Sequence, residues 1–141
     1  MRAFVPDHRR IGERGSAVVE FAVVLPILLT FLFGMVEMGR VLMVCHTLNN
    51  AARAGARIAS LPGANNSAVL TAINNELNGT GLMLDSYELI PSDVSAAQRD
   101  DPVTVRLRIN YASIDLVGGF FPGLSGLQLQ GAVVMRKEGF S

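Results

Sequence analysis

The chain has 141 residues, one small domain's worth of length. Counting Gly and leaving out Tyr, roughly 58% of it is apolar, against about 45–50% for a typical soluble domain, and only 17% is charged. That excludes a disordered chain, and a formal net charge of zero leaves no basic footprint for nucleic acid.

The N-terminal segment, residues 1–15, carries four arginines (Arg2, Arg9, Arg10, Arg14) against Asp7 and Glu13. Between Arg14 and Glu37 there is one charge, Glu20. Residues 16–36, SAVVEFAVVLPILLTFLFGMV, are long enough for about 31 Å of helix, and a bilayer core is about 30 Å thick. The pattern predicts one spanning helix. The arginines ahead of it predict a cytoplasmic N-terminus, with the rest of the chain outside. A cleaved signal peptide needs a shorter apolar core, and Ala54-Gly55-Ala56 lies far beyond this one. A buried helix of a soluble protein seldom holds so long an apolar run. Pro26 lacks an N–H and is expected to kink or loosen the span.

Glu20 lies about one turn inside the span. A charge at mid-bilayer costs about 2.5–3.5 kcal/mol, and somewhat less near the edge. Two readings stay open: a carboxyl that snorkels or is protonated, and one that waits for a cationic partner.

Gly15-Ser16-Ala17-Val18-Val19-Glu20-Phe21, behind a basic leader, resembles the processing site of type IV prepilins and pseudopilins. Further on, Glu20-Phe21-Ala22-Val23-Val24-Leu25-Pro26, then Glu37-Met38-Gly39-Arg40, then Asn50-Ala51-Ala52-Arg53-Ala54-Gly55-Ala56-Arg57 is similar to the TadE-like family. These are minor pseudopilins of the tight-adherence (Flp, type IVc) pilus. The family has an acid where this chain has Ala54. The resemblance covers roughly residues 13–60. It implies a cut between Gly15 and Ser16 by a membrane aspartic peptidase, the prepilin peptidase. It also implies that Glu20, beside Phe21, pairs with the new α-ammonium of a neighbouring subunit. The implied partners are other pilins or pseudopilins, the pilus assembly platform and inner-membrane lipid. The implied place is the bacterial inner membrane, as a single pass. The alternative is an uncleaved single-pass scaffold of an envelope complex.

Residues 37–61 continue as helix. Met38, Val41, Cys45, Leu48, Ala52, Gly55 and Ala59 form a stripe at helical spacing, and His46, Asn49, Asn50, Arg53 and Arg57 form a polar face. Leu61-Pro62-Gly63 ends it. Ala52, Gly55 and Ala56 are small enough to let another backbone approach, from this chain's own domain or from a neighbouring helix. Glu37 and Arg40, three apart, are expected to pair at the membrane interface. Cys45 is expected as a small core residue, with a cross-subunit disulfide as the other option.

Residues 62–141 form the remaining domain. Residues 65–78 predict a second helix, with Ala68, Leu70, Ala72, Ile73 and Leu77 as its apolar positions and a cap from Asn66 or Ser67. Three strands follow: 87–90, then 103–111 with Val103, Val105, Leu107, Ile109 and Tyr111 on one face, then 127–136 with Leu127, Leu129, Gly131, Val133 and Met135 on one face. The expected fold is α+β and pilin-like: a long N-terminal helix, a short second helix and a small antiparallel sheet of about three strands. The loop 91–102 is expected to be a solvated turn, its aspartates lacking Ca²⁺-loop spacing. In the loop 116–124, Phe120 and Phe121 either fold under as a satellite core or form an exposed contact patch. There is no nucleophile–base pair, no cluster of metal ligands and no phosphate-binding loop. The sequence therefore predicts no enzyme activity, cofactor, metal, nucleic acid or small-molecule substrate.

Overall fold

A computed structural model describes residues 9–114, 123 and 126–139, with the backbone alone over 9–14. Residues 1–8 and the loop carrying Phe120 and Phe121 lie outside the described residues. The chain separates into two compact units, Met1–Val36 and Glu37–Ser141.

The first helix, α1, runs Arg9–Ser60 and contributes to both units. It passes through Pro26 unbroken, and the Thr30 hydroxyl donates to the Pro26 carbonyl at 2.8 Å. The expected loosening is therefore at most local, because the apolar turns on either side keep their own ladder. No residue of the stretch 15–36 is buried.

In the second unit α1 is followed by α2 (Asn66–Leu77), β1 (Ser86–Ile90), β2 (Pro102–Asn110) and β3 (Gln128–Arg136). The strands form one antiparallel sheet in the order β1-β2-β3. Asn65 caps α2. Its backbone is extended, and its side chain accepts from the Ala68 N–H at 2.9 Å. The expected capping residue Asn66 is used elsewhere: its amide donates to the Ser92 carbonyl and accepts from the Val94 N–H, tying α2 to the loop after β1. That loop is less solvated than its composition suggests, because Val94 sinks completely into the core. On α2 the buried residues are Val69, Ile73 and Leu77, one residue out of phase with the expected Ala68. Tyr111 falls just beyond β2, in a short 3-10 turn (Tyr111–Ser113) whose N–H bonds the Leu127 carbonyl.

The core sits between α1, α2 and the inner sheet face. Val103, Val105, Leu107 and Ile109 of β2 are wholly buried, as are Leu48, Ala51, Ala52, Ala56 and Ala59 of α1. Met38, expected in the buried stripe, is exposed, and Val44, which is not in that stripe, is buried. Four contacts fix how α1 lies on the sheet. Going up the helix, Glu37 meets Tyr111, Leu48 meets Gly131, Gly55 faces Val105, and Ala59 meets Lys137. The helix thus runs along β3 in the same direction. Its carboxyl end is closed by the segment leaving β3: the Glu138 N–H donates to the Ser60 carbonyl and the buried Lys137 ammonium to the carbonyls of Ala59 (3.0 Å) and Val94 (3.4 Å). A cation there also meets the negative end of the helix dipole.

Two glycines separate packing from propensity. A Cβ on Gly131 would stand 2.6–2.8 Å from the backbone of Leu48 and Asn49, with no side chain able to yield. Gly39, on α1, has nothing within 4 Å. Gly131→Ala is expected to lower stability by about 1–3 kcal/mol through overpacking. Gly39→Ala is expected to raise it by about 0.5–1 kcal/mol. Thermal or denaturant unfolding of the intact chain in detergent micelles, followed by circular dichroism, reads both signs.

Candidate functional site

The residues singled out by sequence fall in three places. Gly15 and Ser16 lie within α1 and are exposed, so the bond between them is helical here. Glu20 and Phe21 also project from α1, exposed. The segment that carries them is in the one described helix long and apolar enough to cross a membrane by length and composition, Gly15–Ser60.

The second place is the small-residue stretch of α1. Ala52, Gly55 and Ala56 are all buried by their own chain. A Cβ on Gly55 would stand 2.7 Å from Ile73 of α2 and 3.5 Å from Val105 of β2. Of the two occupants expected for this face, the chain's own domain and a neighbouring helix, the chain's own α2 and sheet fill it. Cys45 is a half-buried free thiol packed against this core.

The third place corrects an expectation. Glu37 and Arg40 do not pair. Glu37 is 2% exposed, and its Oε1 accepts from the Tyr111 hydroxyl at 2.5 Å. Its Oε2 is buried without a hydrogen-bond partner. Arg40 Nε donates instead to the Ile114 carbonyl at 2.6 Å. Both side chains turn toward the domain, because Tyr111 and Ile114 offer desolvated partners there, whereas an exposed i,i+3 pair gains only a few tenths of a kcal/mol. A tyrosine on an apolar strand face signals that its hydroxyl needs a partner. Nothing local names a partner 74 residues away. Lys137 carried a similar signal, a cation in phase with the buried residues of β3.

Elsewhere the acids serve local structure. Asp93 accepts from the Ser95 hydroxyl (2.6 Å) and from the Ser95 N–H (3.0 Å), and these two bonds hold its carboxyl below the ordinary value of 3.8. Glu88 pairs across strands with Arg106 (2.7 Å) and Arg108 (3.3 Å) on the outer sheet face. Among the described residues no group of three or more metal-ligating side chains converges.

Tyr111→Phe is expected to cost about 1–3 kcal/mol, the penalty for leaving both oxygens of a buried carboxyl unpaired. The double variant Glu37→Leu with Tyr111→Phe is expected to recover part of that loss in unfolding experiments, since neither polar group then remains buried. For Asp93 the sign follows from a lowered folded value. Its contribution is present above the unfolded pKa of 3.8 and is lost as pH falls through the lower folded one. An NMR titration should show Ser95→Ala moving the Asp93 midpoint upward.

No curated protein and no solved structure matches the chain. Residues 15–57, less than a third of it, match the model of a family described as TadE-like protein. The matched stretch opens on Gly15, contains Glu20, Glu37 and Arg40, and ends at Arg57 in the last turn of α1. Over this segment, and over this segment alone, the chain is similar to TadE-like proteins.

Proposed function

We propose that the chain is a membrane-anchored minor pseudopilin, cut after Gly15 by a prepilin peptidase and used in assembling a tight-adherence pilus. The observation that carries this reading is the match opening on Gly15, followed by an apolar stretch whose single charge is Glu20. In this reading the N-terminus is cytoplasmic and the second unit lies outside the inner membrane, where it contacts other pilins and the assembly platform.

Each step has a physical basis. Hydrolysis of the Gly15–Ser16 bond adds water, leaving a carboxylate on Gly15 and an α-ammonium on Ser16. A peptidase needs that stretch extended, whereas α1 holds it helical. Gly costs a helix about 0.8–1.0 kcal/mol relative to Ala, so unwinding is cheapest there. The new ammonium and Glu20 are each costly to keep alone in lipid. The ammonium of one subunit and the Glu20 carboxylate of another neutralise each other on assembly. Assembly then relieves a penalty that the monomer carries.

N-terminal sequencing of the membrane-isolated protein from cells with an active prepilin peptidase should begin at Ser16, and Gly15→Leu should retain the leader. An intact N-terminus in assembled pili would make the chain an uncleaved scaffold instead. Glu20→Ala should leave membrane insertion unchanged or improved, while co-purification with pili falls. Undiminished co-purification would remove the charge-pair mechanism.

A further inference from the structure

The apolar character of α1 does not end where the sequence-defined span ends. Beyond Val36, Met38 is 62% exposed, Leu42 55% and Met43 70%. Charged residues do occur in this stretch, but they face the other way. Glu37 is buried against Tyr111, and Arg40 is half-buried with its Nε on the Ile114 carbonyl. Exposed polar side chains begin one turn later, with His46, Asn49 and Asn50. The same face of the helix is therefore apolar through Met43 and polar from His46.

We infer that this face is covered by lipid, and that the base of the second unit is seated in the membrane interface rather than held clear of it on a helical stalk. The inference rests on the membrane-anchored reading of α1. Three observations favour lipid as the occupant. The patch is continuous along one helix with the exposed apolar stretch 16–36. Residues 16–43 make about 42 Å of helix at ~1.5 Å each, and a bilayer with its headgroup layers is about 40–45 Å thick. The two charges at this depth are turned away from the exposed face, one of them with an oxygen left unpartnered. In water an exposed Glu37 would cost nothing. Hiding it is favourable where the alternative is an interface poor in water, while the long Arg40 stem leaves its head a polar anchor. Glu37 and Arg40 then act as positioning residues that hold the domain's base against the helix at this depth.

The chain contains no Trp, so a single introduced Trp reports its own surroundings. The full chain would be reconstituted into phosphatidylcholine–phosphatidylglycerol vesicles with and without brominated acyl chains, as Val24→Trp, Met38→Trp, Leu42→Trp and Asn50→Trp. The expected result is a severalfold loss of emission at 24, 38 and 42 in the brominated vesicles, and little loss at 50. As a check free of the aromatic probe, Leu42→Cys in a Cys45→Ala chain should resist a membrane-impermeant maleimide, and Asn50→Cys should react. Quenching at 24 with none at 38 and 42 overturns the inference while leaving the membrane span intact. No quenching at 24 overturns the membrane span itself. If 38 and 42 escape quenching and Leu42→Cys becomes maleimide-reactive only on dilution of protein in lipid, a second copy covers the face, and lipid contact is overturned.

Discussion

The backbone of α1 at Leu48 and that of β3 at Gly131 come so close that a Cβ on the glycine would stand 2.6 Å from the Leu48 carbonyl carbon. Two backbones meet there only because one side contributes no side chain. The helix then presents Ala51, Ala52, Gly55, Ala56 and Ala59 to the rest of the domain. Larger residues at those positions would lift the sheet and α2 away, exposing Val105, Leu107, Ile73 and Val69. Burying such side chains fully is worth about 1.5–3 kcal/mol each. The small-residue stretch is thus the condition for a core in a domain with three strands and one short second helix. It is used inside the subunit, so any contact between subunits draws on other surfaces.

The helix also has to serve two surroundings. Over residues 15–36 it presents apolar side chains on all sides, and above that only one face remains exposed. The changeover is managed at Glu37 and Arg40. Both are taken up by the turn after β2, Glu37 by the Tyr111 side chain and Arg40 by the Ile114 main chain. A buried carboxyl with one bond is costly compared with a leucine in the same place. Its retention at the junction is understandable as a registry device, since only one position of α1 along the sheet brings Glu37 to Tyr111. Lys137 performs the matching task at the other end, on the carbonyl of Ala59. Between them these two polar contacts fix the helix at both ends of its run along β3.

Periodicity was enough to read the helices, the three strands and the buried face of β2, since each depends on spacing within a few residues. The break at Pro62-Gly63 was as clear. What spacing did not contain were the choices made across the fold. Glu37 had Arg40 as its local option, and the partner it takes is remote in sequence. Asn66 offered the usual capping chemistry, yet Asn65 has the extended backbone that a cap requires. Val94, in a stretch rich in Asp and Ser, looked like part of a solvated turn, but it fills the core beside α2. For the candidate site, Gly15 and Glu20 stood out because a glycine behind a basic leader and a lone acid in an apolar run are both anomalies of composition. The chemistry proposed for them with a second chain is not a property of one chain's spacing.

The direction of α1 along β3 also limits how two copies can meet. Within the described residues β3 is an edge strand, nine residues long and in regular register with β2. Long regular edges invite pairing with another strand. The simplest pairing of two identical edges is antiparallel about a two-fold axis normal to the sheet, which turns β3 end for end. Because the part of α1 from Glu37 to Ser60 lies along β3, the same operation turns that part end for end, so two copies paired in this way hold these helices antiparallel, whereas a parallel neighbour on the same edge keeps them aligned. A head-to-tail arrangement does not close on itself as a two-fold dimer does, and it leads to an open, filament-like assembly.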